Sequence, residues 1–144
     1  MNASDARLTQ LFVAVDNSQT QDDSPNETGG VAGNTYDLHL RAEAGSAIGD
    51  GGGDYTLSIT AFNVSKGVAE PGLNPFANPQ AEEFKNTAPG NWGPVGVDFI
   101  KQETYNITIP NTVPRGDVFQ YTAQMLGLNL EVISIIQSDL FVLP

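Results

Sequence analysis

The chain has 144 residues, of which 40% are hydrophobic, and this is enough apolar material for one domain with its own core. It contains no cysteine, which excludes disulfides, thiolate nucleophiles and zinc sites with cysteine ligands. Six basic residues stand against 17 acidic ones, and the net charge of −11 repels nucleic acid and anionic membranes, so neither is expected as a partner.

The N-terminal residues predict neither a secretory leader nor a membrane span. Residues 1–7 contain one basic residue, Arg7, and the apolar run over 11–15 is too short for either element. The location therefore stays open. The polar residues are largely Asn, Gln, Thr and Ser, which favours an extracellular surface or a virion over the cytoplasm.

The first predicted strand covers residues 8–15 and carries apolar side chains on both faces. Such a strand is typical of a position that is covered on both sides. A polar loop over 16–35 follows. Its length is unusual in a compact domain and indicates a functional or mobile segment.

Alternating apolar and polar residues predict the next two strands, over 36–44 and 54–64. Successive side chains of a strand point to opposite faces, so a period of two indicates a sheet with one wet and one buried face. A glycine-rich link over 45–53 joins the two strands. We expect them to form a β-hairpin with a flexible tip.

A second long loop, over 65–93, is rich in proline and glycine. It contains the pattern of a short helix, with Asn78 as the N-cap and Pro79 at the first helical position. Glu82 and Glu83 then lie near the positive end of the helix dipole. The sequence therefore predicts one short helix inside this insertion.

Two short strands, over 95–100 and 105–109, lead to a proline-rich corner at 110–117. The strand after this corner has apolar residues at every second position, so they share one face. These residues are Phe119, Tyr121, Ala123 and Met125.

The C-terminal part continues with a turn at 127–129, a strand over 130–136, a bulge at 137–139 and a last strand over 140–143. Many short strands separated by turn signals predict an antiparallel arrangement without βαβ units. We therefore expect one β-sandwich domain over 1–144, all-β, with seven or eight strands and one short helix.

The strand after the corner resembles the D-x-A-x-Y-x-C signature that leads into strand F of immunoglobulin domains. Asp117 and Tyr121 match it, whereas Phe119 and Ala123 replace the small residue and the cysteine. The following hairpin resembles the end of fibronectin-III-like modules. The resemblance implies an immunoglobulin-like antiparallel β-sandwich in which the tyrosine hydroxyl bonds to the backbone upstream, and it implies no activity. The tryptophan that the family has on its third strand is missing there, because Trp92 lies in the insertion.

No catalytic residue is predicted. His39 is the only histidine, lies on the polar face of an alternating strand and is expected to face solvent. No Gly-x-Ser-x-Gly motif presents a serine nucleophile. The protein is therefore expected not to be an enzyme. A small hydrolase that uses loop carboxylates is an alternative, since two acids from distant loops can converge.

Calcium is the one cofactor that the sequence suggests. Asp50 and Asp54 flank three glycines, and hard cations bind several oxygen ligands in such turns. Asp22, Asp23 and Glu27 form a second candidate set in the first long loop. A plain hairpin tip without metal is the alternative interpretation of the 50–54 segment.

Trp92 is the most distinctive aromatic residue, because glycines lie close on both sides of it. An exposed tryptophan on a loop stacks on a sugar ring or anchors a partner protein. With Tyr105 and Phe76 it forms a candidate ligand-binding site for a glycan. The alternative is that Trp92 plugs one end of the sandwich.

The two ends of the chain, over 8–15 and 130–143, are apolar β segments. Either they pair together inside the sandwich, or one pairs with a neighbouring subunit. We predict a non-catalytic structural module that self-associates or decorates a larger assembly, such as a surface layer, filament or virion. Its partners are then proteins, including copies of itself, and its long loops carry the specificity. A carbohydrate-binding module is the main alternative.

Overall fold

The computed structural model describes residues 5–25, 34–46, 48, 53–85, 90–95, 98–127, 129 and 131–144. Ten strands in this part of the chain form two antiparallel sheets, and a 3₁₀ turn lies at Pro71–Leu73. The predicted antiparallel β-sandwich is confirmed, because the two sheets enclose one buried core. No helix within these ranges is long and apolar enough to cross a membrane.

In chain order the strands are β1 (Ala6–Ala14), β2 (Thr35–Ala44), β3 (Asp54–Asn63), β4 (Val68–Ala69), β5 (Gln80–Glu83), β6 (Gly93–Val95), β7 (Asp98–Thr108), β8 (Val118–Gly127), β9 (Val132–Gln137) and β10 (Phe141–Val142). The first sheet has the order β1-β2-β7-β6. The second has the order β10-β8-β3-β4, with β5 also paired to β3 and β9 to β8. The count exceeds the predicted seven or eight because the 65–93 insertion contributes β4 and β5, and β6 begins where it ends.

The core lies between the two sheets and is built by the alternation seen in the sequence. Inward positions of β8 are fully buried, as expected, at Phe119, Tyr121, Ala123 and Met125. The facing strands of the first sheet contribute Leu11, Val13, Tyr36, Leu38, Leu40 and Ile107. Burial of these apolar side chains is the dominant force that holds the sheets together.

The predicted hairpin of β2 and β3 is wrong, because the two strands belong to different sheets. In the first sheet β2 lies between β1 and β7, and in the second sheet β3 lies between β8 and the short strands β4 and β5. Both strands therefore have partners on both edges. The glycine-rich link joins one sheet to the other.

The predicted helix after Asn78 is also wrong. Gln80–Glu83 is the strand β5 and pairs antiparallel with residues 54–57 of β3. A single helical turn is costly to nucleate, whereas an extended segment beside β3 gains ladder hydrogen bonds at once. Glu82 also accepts a hydrogen bond from the Tyr55 hydroxyl at 2.6 Å, which holds β5 in register.

Both apolar ends of the chain pair within the sandwich. β1 pairs with β2, and its Leu8 amide donates to Ser134 Oγ of β9 at 2.9 Å. β9 and β10 both pair with β8. Thr122 faces Gln137 but Phe119 faces Phe141, so one extra residue separates β9 from β10. The predicted bulge is confirmed.

The Tyr121 hydroxyl bonds to upstream backbone, as the resemblance implies, but 48 residues away and not within its own corner. Its hydroxyl donates to the Leu73 carbonyl at 2.6 Å, in the 3₁₀ turn. The Tyr36 hydroxyl lies 2.7 Å away and must be the donor in that pair, because the Tyr121 proton is already used. One buried hydroxyl therefore connects both sheets with the segment between β4 and β5.

Candidate functional site

Trp92 is fully buried, so the predicted exposed tryptophan that stacks on a sugar is wrong. Its Nε1 donates to the Tyr55 hydroxyl at 3.0 Å, and its ring lies 5.3 Å from that of Phe84. The residue is part of the core, in line with the alternative of a plug. Burial was not predictable from the flanking glycines, because it depends on the distant strands β3 and β5.

The other two predicted ligand-binding residues, Phe76 and Tyr105, do come together. Their rings meet edge to face with centroids 5.7 Å apart, and both are partly buried against the core. Among the aromatic pairs of the described residues, Trp92 contacts Tyr55 and Phe84 instead. The three predicted residues therefore form no single platform.

The predicted calcium ligands are only partly within the described residues, since Asp50 and Glu27 lie outside them. Asp54 begins β3, and Asp22 and Asp23 accept hydrogen bonds within their own loop. Within the described ranges, no three His, Asp or Glu side chains are grouped to hold a metal ion. Calcium binding stays a prediction.

His39 is buried, and the expectation that it faces solvent is wrong. Its Nε2 lies 2.7 Å from the Ser18 carbonyl oxygen and its Nδ1 lies 2.9 Å from Thr104 Oγ1. A carbonyl can only accept, so Nε2 carries a hydrogen and donates it to Ser18, and Nδ1 shares a hydrogen bond with the Thr104 hydroxyl. The first loop covers the polar face of β2, which the alternation pattern alone did not reveal.

The loop residues after β1 are fixed to this outer face by side-chain hydrogen bonds. Asp37 accepts from the Asn17 amide at 2.8 Å and from Asn106 Nδ2 at 3.0 Å. Asp16 accepts from the same Asn106 amide at 2.8 Å. Asn17 has φ 63°, a left-handed conformation that asparagine tolerates in tight turns. The loop therefore covers one end of the first sheet.

The uncovered part of the same face is a groove of about 360 Å³. Its floor has two rows of side chains on β1, β2 and β7, set by the strand register. The first row is Gln10, Arg41 and Gln102, and the second is Phe12, His39 and Thr104. Gln19 from the loop also lines it. The Phe12 and His39 rings lie 5.0 Å apart.

A bulge in β1 gives the groove two of these side chains. Leu8 pairs with Ala42 but Gln10 pairs with Arg41, so Thr9 is an extra residue. Leu8 and Leu11 are both buried, while Gln10 and Phe12 line the groove.

A second depression, of about 460 Å³, shares residues with the groove and continues around the β1 edge. Gln10, Phe12 and Gln19 line both. The extension adds Gln21, Gln137 and Asp139, among others. Side-chain amides therefore dominate a continuous surface. Sequence reasoning missed all of these residues, although it singled out the first loop as functional.

The chain matches no protein-family model and no curated protein. It is similar to the crystal structure of a Niemann-Pick type C2 protein from the Japanese carpenter ant. The TM-score is 0.43 at 10% sequence identity, and the match covers 94% of this chain and 91% of that one.

The prediction of a self-associating structural module is wrong. It rested on two apolar terminal segments, one of which was expected to pair with a neighbouring subunit, and both are paired within the sandwich.

Proposed function

We propose that the chain is a non-enzymatic binding protein that holds a neutral, hydroxyl-rich ligand of the carbohydrate class in the outer groove of the first sheet. The observation that carries this proposal is the lining, in which glutamine amides and a threonine hydroxyl surround one aromatic ring. Each amide offers two donors and an acceptor, so a row of them matches a ligand that carries many hydroxyl groups. Phe12 adds an apolar surface for a sugar ring.

The charges of the groove favour a neutral ligand over an anion. Among the described residues of the lining, Arg41 is the one cation, and its guanidinium is already paired with Glu43 at 3.4 Å. A chain with a net charge of −11 also repels anions at long range.

The floor is held in place before any ligand arrives. His39 is fixed from both ring nitrogens, by the Ser18 carbonyl and by the Thr104 hydroxyl. Strand pairing on both sides fixes the backbone of β2. A groove that is already ordered loses less conformational entropy on binding, which supports affinity in a shallow polar site.

A glycan array followed by calorimetry tests the proposal. We expect wild type to bind a neutral glycan, and Gln102→Ala and Phe12→Ala each to weaken this binding at least about fivefold, since each removes a contact worth about 1 kcal/mol or more. Gln124→Ala is the matched control. Gln124 lies on β8 of the second sheet, where it pairs with Ser58 of β3, and the groove lies on the first sheet.

Three outcomes contradict the proposal. The first is no binding to any glycan, and the second is unchanged affinity in both groove variants. The third is an equal loss of affinity in the Gln124→Ala control, which would show that the groove is not the site.

A further inference from the structure

A buried lysine lies in the interior of the sandwich, where apolar side chains are the rule. Lys101 on β7 has a side chain that is only 1% exposed. Its Nζ lies 2.5 Å from the Gly90 carbonyl oxygen, 2.9 Å from Glu103 Oε1 and 3.5 Å from Glu82 Oε1. Glu103 is on the same strand, whereas Glu82 is on β5 in the opposite sheet.

The Glu82 carboxylate also accepts a hydrogen bond from Tyr55, at 2.6 Å from Oε1. The Trp92 indole N–H, which can only donate, points to the Tyr55 oxygen at 3.0 Å. The tyrosine proton is therefore left for Glu82. Burial, and then the bond to Glu82, raises the pKa of Tyr55 well above its ordinary value, so the hydroxyl stays a donor.

Gly90 lets the backbone approach this cluster. A Cβ atom at position 90 would lie 1.8 Å from the Glu83 carbonyl oxygen, so no other residue fits without a shift of the backbone. The close approach holds the Gly90 carbonyl against Nζ of Lys101. The amine thus has a fixed position between two carboxylates.

Buried charges are costly even when they are paired, because both ions lose their hydration. A neutral amide between the same two side chains removes one positive and one negative charge from the interior. The released water leaves through the partly open side, where the Glu103 side chain is 29% exposed. Condensation of the pair would therefore remove a desolvation cost that a lasting ion pair keeps.

We propose that Lys101 and Glu82 condense to an intramolecular amide that joins the two sheets covalently. This inference is independent of the proposed glycan site. Nζ is the nucleophile, Cδ of Glu82 is the electrophile and Glu103 accepts and returns protons. The Tyr55 hydroxyl stabilises the oxygen that becomes negative during the attack.

The step balances without an oxidant or another reactant. Glu103 relays one proton from the ammonium group to a carboxylate oxygen of Glu82, which turns that group into a neutral carboxylic acid. The freed electron pair of Nζ then forms the new C–N bond at Cδ. The protonated oxygen receives a second proton from Nζ, and its C–O bond breaks. One water molecule leaves, the amide nitrogen keeps one hydrogen, and the total charge is unchanged.

Intact-protein mass spectrometry tests the proposal on wild type. We expect a mass lower than that of the sequence by one water molecule. Lys101→Arg is the matched control, because its guanidinium keeps the charge and does not condense, and it should show the full mass of its sequence. A full mass in wild type, or the same deficit in Lys101→Arg, overturns the proposal.

Tryptic digestion locates the bond. Trypsin does not cleave after an acylated lysine, so the segment 86–115 should remain uncut at Lys101 and stay joined to the segment 67–85, which contains Glu82. Separate peptides ending at Lys85 and Lys101 overturn the assignment. A water loss located at other residues does so as well.

Two substitutions separate the roles in the cluster. Glu82→Gln should lose ammonia instead of water, because the attack of Nζ on the glutamine amide displaces NH3, and an unchanged mass contradicts Glu82 as the electrophile. Glu103→Gln should slow the condensation at least tenfold while the circular dichroism spectrum stays that of a β-sandwich. An unchanged rate contradicts the proton-transfer role of Glu103.

Discussion

Tyr121 shows how much depends on single hydroxyl groups in this protein. It is fully buried, donates to the Leu73 carbonyl and accepts from the Tyr36 hydroxyl. A buried carbonyl without a donor carries a desolvation cost that an apolar neighbour does not relieve. The contact therefore fixes the 3₁₀ turn against β8.

Tyr121→Phe is expected to lower the free energy of unfolding by about 1–3 kcal/mol, because the Leu73 carbonyl and the Tyr36 hydroxyl both lose their partner. Urea unfolding followed by circular dichroism measures this change. Tyr105→Phe is the control, since the Tyr105 hydroxyl makes no side-chain hydrogen bond within the described residues. Equal losses in the two variants would contradict the role of the Tyr121 hydroxyl.

The four tyrosines make the free energy of unfolding depend on pH in the alkaline range. Burial is the main cause that raises the pKa of Tyr36, Tyr55, Tyr105 and Tyr121 above the ordinary value of 10.0. Above that value the unfolded chain loses these protons while the folded chain keeps them. The contribution of the protonated tyrosines to the free energy of unfolding is therefore fully present below pH 10 and is lost as the pH rises further.

We expect the urea midpoint to fall steadily above about pH 10. The ultraviolet absorbance of tyrosinate should appear together with unfolding and not before it. Tyrosinate signal at pH 10 to 11 in a protein that keeps its native circular dichroism would contradict buried, protonated tyrosines.

At the scale of elements, the alternation pattern predicted the strands well but not their neighbours. β2, β3 and β8 were predictable because each buries one face along its whole length. The hairpin of β2 with β3 was not, since pairing depends on strands far away in the chain. The helix at β5 failed for the same reason, because capping signals are local and the pairing with β3 is not.

The loop after β1 gives a prediction at this scale. Asp37→Ala removes the acceptor for the Asn17 amide and for Asn106. A hydrogen bond to a charged acceptor contributes about 1.5–3 kcal/mol, so hydrogen exchange of the Asn17 amide should speed up at least about tenfold. The fold should persist, because strand pairing is unchanged.

Asp23→Ala is the matched control for the loop. Asp23 is an exposed acid that accepts from the Gln21 side chain and makes no contact with Asn17 among its described hydrogen bonds. Its loss should leave the Asn17 exchange rate unchanged. Equal exchange in wild type and Asp37→Ala would show that the loop is held by other contacts.

At the scale of the whole molecule, the groove was beyond sequence reasoning. Its floor joins Gln10, His39 and Gln102, which become neighbours only through the register of three strands. Trp92 was also misplaced by sequence reasoning. Its flanking glycines suggested an exposed side chain, whereas the assembled core buries it. The alternation in a single sequence shows which face of a strand is apolar and which is polar. It does not show which loop covers the polar face.

The net charge of −11 gives a prediction at the same scale. Repulsion among like charges opposes the compact state, and added salt screens it. Between about 0.02 M and about 0.5 M sodium chloride, we expect thermal unfolding to shift upward by a few degrees, or about 1 kcal/mol. Sodium bromide at equal ionic strength should give a similar shift. A flat or falling midpoint contradicts the expectation.

The extra residue Thr9 has a consequence for length variation. Removal of one residue from a regular strand swaps its two faces, which few proteins survive. Without Thr9, the chain on either side would resume ordinary pairing, with Leu8 and Leu11 still inward and Gln10 still outward. A homologous chain can therefore lack one residue at position 9 of β1. Such a chain would keep the same interior and the same groove.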